Sequence, residues 1–183
     1  AFGAFAVKSQ SKDALLRSAL KSSLGEFYTS NDPISLFYFD RNYEPFWIEN
    51  RKRLTSLLRS LRKAHSHGLP KLRYPLDELR QAIFENEPTQ KAKLELMATE
   101  AFLLFAKDIS GGILNPNMID ININVLPHRK DASKLLASLT ENLDVDSFFQ
   151  SLFPSSYEYK YLVSELRRLR EISLNGSWGD LVP

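Results

Sequence analysis

Phe37-Tyr38-Phe39-Asp40-Arg41-Asn42-Tyr43-Glu44-Pro45-Phe46-Trp47 gathers aromatic side chains, an arginine and a proline into one short stretch. Aromatic side chains bury a large area in a small volume. So dense a cluster either anchors a core or presents a stacking surface, and that choice decides how the flanking segments pack. Asn31-Asp32-Pro33 and Glu44-Pro45 interrupt helical patterning. Residues 31–47 are therefore expected to be extended or turn structure between helices. Trp47, beside Pro45 and Phe46, reads as a core anchor whose indole N–H needs a partner. Arg41 reads as a tie from this loop to an acidic or carbonyl group. In the competing reading Tyr38, Arg41, Tyr43 and Trp47 contact a ligand or a neighbouring domain, with Trp47 stacked on a sugar ring and Arg41 holding a carboxylate.

Outward from this stretch the periodicity is helical. Leu15, Leu16, Ala19 and Leu20 follow Ser11, a candidate N-cap. Over residues 50–67, Leu54, Leu57, Leu58, Leu61 and Ala64 share one face at 100° per residue. Arg51, Lys52, Arg59, Arg62 and Lys63 occupy the opposite face, and Gly68 and Pro70 end the helix. Pro75 opens another helix with Asp77 and Glu78 in its first turn, where the dipole favours acids. Residues 89–110 read as the longest helix. Leu94, Met97, Ala98, Ala101, Phe102, Leu104 and Phe105 cover a wide arc, so this helix is expected to be central, and Gly111-Gly112 stops it.

Between 119 and 125 the period changes to two. Ile119, Ile121, Ile123 and Val125 alternate with Asp120, Asn122 and Asn124, as in a half-buried strand, with residues 36–39 as an expected partner. Helices resume at Asp131 and after Asp144 or Asp146. Ser155 and Glu158 form a capping-box pattern. Leu162, Leu166 and Leu169 line a last helix, which Asn175-Gly176 closes near residue 174. The fold class is mainly α: a compact multi-helix domain with a short extended segment near 119–125.

A chain of 183 residues is expected to make one domain, or one compact unit of a larger protein. Its apolar fraction of 43% supports a substantial core, and a net charge of +2 does not argue for a nucleic-acid partner. Aromatics are not interleaved with the basic face of 50–67, which weakens a nucleic-acid reading further. That face is a candidate docking surface (Arg51, Lys52, Arg59, Arg62, Lys63), weighed against the commoner solvated helix face. There is no cysteine, which excludes disulfides, thiolate metal sites and a cysteine nucleophile within these residues. No apolar run reaches the roughly 20 residues that a membrane-spanning helix needs. Ala1-Phe2-Gly3-Ala4-Phe5-Ala6-Val7 reads either as the trimmed end of an export signal or as a frayed terminus, and residues 1–10 as a tail.

No catalytic constellation emerges. His65 and His67 stand two apart and suit a helix C-terminus, and neither they nor His128 lie in a zinc-binding pattern. Ser66-His67-Gly68 leads into Leu69 with no nucleophile nearby. Gly-x-Ser-x-Gly is absent, and Ser110-Gly111-Gly112 lacks the lysine of a phosphate loop. Glu95 and Glu100 read as solvated helix charges rather than a general acid–base pair. The chain is read as non-catalytic, with no metal and no cofactor.

Taken in order, Phe37-Tyr38, Arg41, Tyr43, Pro45 and Trp47 resemble the FY-x-x-R-x-Y-x-P-x-W opening of the scaffold region of large periplasmic L,D-transpeptidases. Ala64, Gly68-Leu69 and Tyr74 are similar to that family's A-x-x-x-GL helix exit. Ala98 through Ala106, then Gly112 and Pro116, are similar to its long helix and G-x-x-x-P turn. Pro154, Tyr157, Leu162 and Leu166, then Arg170, Gly176 and Trp178, are similar to its last helix and exit segment. The resemblance spans residues 12–183. It departs at Glu95-Leu96-Met97-Ala98, where the family often has an Asp followed by Leu-Thr, and over 119–125. It implies a helical scaffold domain over 11–175 and an exit segment over 176–183 leading towards peptidoglycan-binding or catalytic modules. It also implies a periplasmic location. The family's chemistry uses a cysteine in a Ser-His-Gly-Cys motif of a separate domain, which this chain lacks. The implied role is to position wall-binding and catalytic neighbours on peptidoglycan. A stand-alone peptidoglycan-binding or protein-docking module is the alternative.

Overall fold

The computed structural model describes residues 2–114, 119, 129–141 and 144–176, with side chains from residue 12 onward. Among these residues the fold is all helix. The helices are α1 (Phe2–Phe27), α2 (Pro33–Asp40), α3 (Arg51–Lys63), α4 (Leu76–Gln81), α5 (Pro88–Gly111), α6 (Ala132–Glu141), α7 (Val145–Leu152) and α8 (Tyr157–Leu174). Short 3-10 turns cover Ala64–His67 and Lys71–Arg73.

α5 is the axis of the domain. It packs against α1, α3, α4, α6 and α7. Its small residues Ala92, Ala98, Ala101 and Ala106 are buried beside Phe102 and Phe105, so neighbours approach closely on several sides. α1 contributes Leu16, Leu20 and Leu24, one every fourth residue, as a buried stripe. α3 buries Leu54, Leu57, Leu61 and, just past its end, Ala64, as its apolar stripe dictates. Gly68 then turns the chain at a φ of 81° and Gly112 ends α5 at 75°, backbone angles that side chains with a Cβ disfavour.

Several expectations are corrected. Residues 33–40 are helical, not extended. Asp32 caps the helix by accepting from the Ile34 amide, and Pro33 takes a first-turn position that needs no N–H. Asn31-Asp32-Pro33 is thus a helix start rather than a break. Residues 36–39, the expected strand partner, lie inside α2, and residues 120–125 fall outside the described residues. Helix α1 is continuous through Ser11, so Ser11 is no cap, and residues 2–10 are helical. At 26 residues α1 is longer than α5 with 24. The cap of α8 is Ser156, which accepts from the Tyr159 amide, not Ser155.

α8 is the outlying element. None of its residues is buried, and its contacts run mainly to the turn at 64–67. There the His67 ring stacks on Phe153, 4.0 Å away, and its Nδ1 lies 2.7 Å from the Tyr159 hydroxyl, while Arg170 Nη1 donates to the His65 carbonyl at 2.6 Å.

Candidate functional site

The aromatic stretch closes around one carboxylate. Glu95, fully buried on α5, accepts from three consecutive amides: Phe46 N (2.6 Å), Trp47 N (3.1 Å) and Ile48 N (2.9 Å). The Tyr38 hydroxyl donates to the same carboxylate at 2.7 Å. One turn further along α5, Thr99 Oγ1 accepts from the Trp47 indole N–H at 2.9 Å and lies 2.6 Å from the Tyr38 hydroxyl. With the Tyr38 proton committed to Glu95, Thr99 donates to Tyr38. The donors then run in one direction from Trp47 through Thr99 and Tyr38 to Glu95, and bonds in such a chain strengthen one another.

Burial pushes the Glu95 carboxyl up, while the amide donors and the Tyr38 hydroxyl pull it back and only partly offset the desolvation. Burial, followed by the Glu95 charge, holds the Tyr38 hydroxyl well above the usual tyrosine range.

This arrangement shapes the loop. After α2 the backbone passes through Asn42 (φ 52°) and Tyr43 (φ 58°), left-handed positions at which a tyrosine is strained. The Tyr43 amide donates to the Tyr38 carbonyl at 2.7 Å. The amides of residues 46–48 then point inward, where no sheet or helix would satisfy them. A buried amide without an acceptor is costly, so Glu95 holds this loop by completing its hydrogen bonds.

Aromatic contacts carry the anchor through the core. Phe46 meets Trp47 at 5.0 Å, Trp47 meets Phe102 at 5.6 Å, and Phe102 meets Phe149 of α7 at 5.3 Å. Phe105 also meets Phe149, at 4.7 Å, and joins it to Tyr74. A second buried carboxylate fastens that end. Asp108 on α5 accepts from Arg73 Nε (2.5 Å), Arg73 Nη2 (3.0 Å) and the Tyr74 hydroxyl (2.9 Å).

Of the residues singled out in the sequence, Tyr38 and Trp47 lie in the core with no exposed surface, and the Trp47 indole N–H has its partner in Thr99. Arg41 and Tyr43 are half-buried. The Arg41 guanidinium sits over the rings of Phe37 and Phe46, 5.5 and 4.9 Å from their centroids, and its Nε is buried without a hydrogen-bond partner among the described residues. The expected tie from Arg41 to an acid or carbonyl is instead made by Arg53. Its Nη1 donates to the Phe46 carbonyl at 2.7 Å while its guanidinium lies 3.7 Å over the same ring.

Arg51, Lys52, Arg59, Arg62 and Lys63 are all exposed on α3. Arg59 leaves the solvated row to pair with Asp146 at the start of α7, 2.9 Å away. His65 and His67 occupy the 3-10 turn after α3, and His128 lies outside the described residues.

Glu95 and Asp108 were not legible as site residues. Glu95 is corrected from a solvated helix charge to a buried anchor. A signal existed: Glu95, Thr99, Phe102 and Ala106 succeed one another at spacings of four, three and four, on the stripe that α5 buries.

Chemically, this constellation holds structure. Every partner of the Glu95 carboxylate is an internal donor, and the group has no surface on which to meet a substrate. The fold and the clamp thus define a helical domain whose buried carboxylates serve its own structure. The Scaffold domain family matches residues 32–166, most of the chain, and the chain belongs to that family. Neither the curated proteins nor the solved structures contain a match to it.

Proposed function

We propose that this chain is the non-catalytic scaffold of an L,D-transpeptidase-like protein that cross-links peptidoglycan in the periplasm. The ordered motif series, together with the Scaffold family match over residues 32–166, supports the reading. The clamp of Glu95 on residues 46–48 turns the motif string from Tyr38 to Trp47 into one anchor on the central helix. A body held this way can keep neighbouring wall-binding and catalytic modules at a constant separation. The other motif positions fit the same task. Ala64 is buried, Gly68 supplies a left-handed turn, Tyr74 meets Asp108, and Ala98, Ala101 and Ala106 admit close helix packing.

Reading the native gene on both sides of residues 1–183 tests the proposal. A Ser-His-Gly-Cys segment in the same reading frame supports it. A complete frame without that segment removes the enzymatic parent.

A second reading, direct docking on peptidoglycan or a partner protein, draws on the exposed row Arg51, Lys52, Arg62 and Lys63. Binding to purified sacculi that persists after charge reversal at Arg62 and Lys63 would exclude that face.

A further inference from the structure

A pocket of about 460 Å³ opens between the start of α3 and the start of α7, lined by Asn50, Lys52, Arg53, Ser56, Arg59, Asp144 and Asp146. Its acceptors are already engaged. Asp146 accepts from Arg59 Nη1 at 2.9 Å and from Ser60 Oγ at 2.6 Å. Asp144 caps α7 by accepting from the amide and hydroxyl of Ser147, and Asn50 Oδ1 caps α3 by accepting from the Arg53 amide. Its donors are only partly engaged: Arg53 Nη1 donates to the Phe46 carbonyl and Arg59 Nη1 to Asp146, while among the described residues Lys52 Nζ and Ser56 Oγ have no partner. A lining whose carboxylates are each engaged by internal donors, and in which Lys52 and Ser56 keep free donors, favours an occupant with acceptor oxygens.

Charge points the same way. Arg53 and Arg41 both lie over the Phe46 ring. Burial, then the Arg41 charge, lowers the pKa of Arg53, and the Glu95 charge offsets this in part. The hydrogen bonds and ion pairs of the loop carboxylates go to other donors: Glu44 pairs with Arg17 at 2.6 Å, Glu49 with Lys91 at 2.9 Å, and Glu95 accepts from the loop amides. No ion pair balances either Arg41 or Arg53 among the described residues. A guanidinium fork matches a carboxylate in shape and charge. Asp144 and Asp146 in the lining oppose any anion, and a doubly charged phosphate more than a singly charged carboxylate. The methylene stems of Lys52, Arg53 and Arg59 offer apolar wall for a body larger than acetate.

We infer that this pocket binds the free carboxylate of a short peptide, held by Arg53 and Lys52 with Ser56 as a further donor. The inference stands apart from the wall-building reading, because it uses only the lining of the pocket.

The test is an NMR titration of the ¹⁵N-labelled chain with acetyl-Ala-Ala bearing a free C-terminal carboxylate, with its C-terminal amide, and with inorganic phosphate. Saturable shifts in the amides of residues 50–59 and 144–147 are expected with the acid, and binding about tenfold weaker with the amide. Lys52→Gln, at an exposed position, should weaken binding of the acid while its circular dichroism and melting temperature stay at wild type. Equal binding of acid and amide overturns the inference. So do tighter binding of phosphate, no shift with the acid, or full retention of binding in Lys52→Gln.

Discussion

Glu95 and Trp47 are joined twice over. Both oxygens of the Glu95 carboxylate lie 3.1 Å from the Trp47 backbone nitrogen, while the Trp47 indole reaches Thr99, one turn beyond Glu95 on the same helix. The loop is thereby gripped by its backbone and by its largest side chain at adjacent levels of α5.

Removing the carboxylate should therefore cost more than its own burial. Glu95→Ala leaves the inward amides of residues 46–48 without an acceptor and is expected to destabilise by about 3–5 kcal/mol. Glu95→Gln keeps one acceptor oxygen but turns an amide NH₂ towards other donors, so a smaller loss of about 2 kcal/mol is expected. Urea unfolding followed by tryptophan fluorescence measures both, and equal stability of Glu95→Ala and wild type would contradict the clamp.

Trp47 separates packing from hydrogen bonding. Trp47→Ala is expected to cost about 3–5 kcal/mol through the cavity it opens against Phe46 and Phe102. Trp47→Phe keeps an aromatic ring but removes the bond to Thr99, adding a cost of about 1 kcal/mol to that of the smaller ring. In a Thr99→Val background the hydrogen-bond part of that cost should vanish, which a double-mutant cycle reads directly.

Asp108 anchors the opposite end of α5. Its side chain is 2% exposed while that of Arg73 is 34% exposed, so the two partners are not equivalent. Asp108→Ala leaves the Tyr74 hydroxyl buried without its acceptor and should cost about 3 kcal/mol. Arg73→Ala should cost less, since Tyr74 still donates to the carboxylate. Denaturant midpoints of the two variants give the ranking, and the reverse order would show that the arginine dominates.

His67 gives the domain a pH dependence of known sign. Burial first, then the charges of His65 and Lys63, lowers its pKa below the ordinary 6.5. The unfolded chain therefore binds the proton more readily than the folded one. The stability contributed by neutral His67 is fully present above about pH 6.5 and is lost as the pH falls through the depressed folded value. His67→Phe, which keeps a ring against Phe153 but removes the titrating group and its contact with the Tyr159 hydroxyl, should flatten the stability profile in that window. An unchanged slope in thermal melts from pH 7.5 to 5 would rule out this residue as its source.

α8 should open before the core does. It contributes no buried residue, whereas α5 contributes Phe102, Phe105 and Ala106 at 1% exposure or less. Native-state hydrogen exchange is expected to show faster exchange across residues 160–174 than across 95–109. Equal protection would mean that α8 unfolds with the whole domain.

By itself the sequence determined the mainly helical class, the α3 stripe from Leu54 to Ala64, the acidic start of α4, the breadth of α5 and the glycine stops. These follow from periodicity and capping, which act within a few residues. Its misreadings at Asp32-Pro33 and Ser155 were also local, because the same residue types begin helices and interrupt them. Only the tertiary structure decided what Glu95 does. A glutamate on a helix is ordinarily solvated, and three amides lying 47 to 49 residues away make this one an anchor. The same holds for Asp108 with Arg73, and for Arg53, which took the tie expected of Arg41. Desolvation and hydrogen-bond completion depend on which segments meet in space, and that is settled when the loop closes on α5.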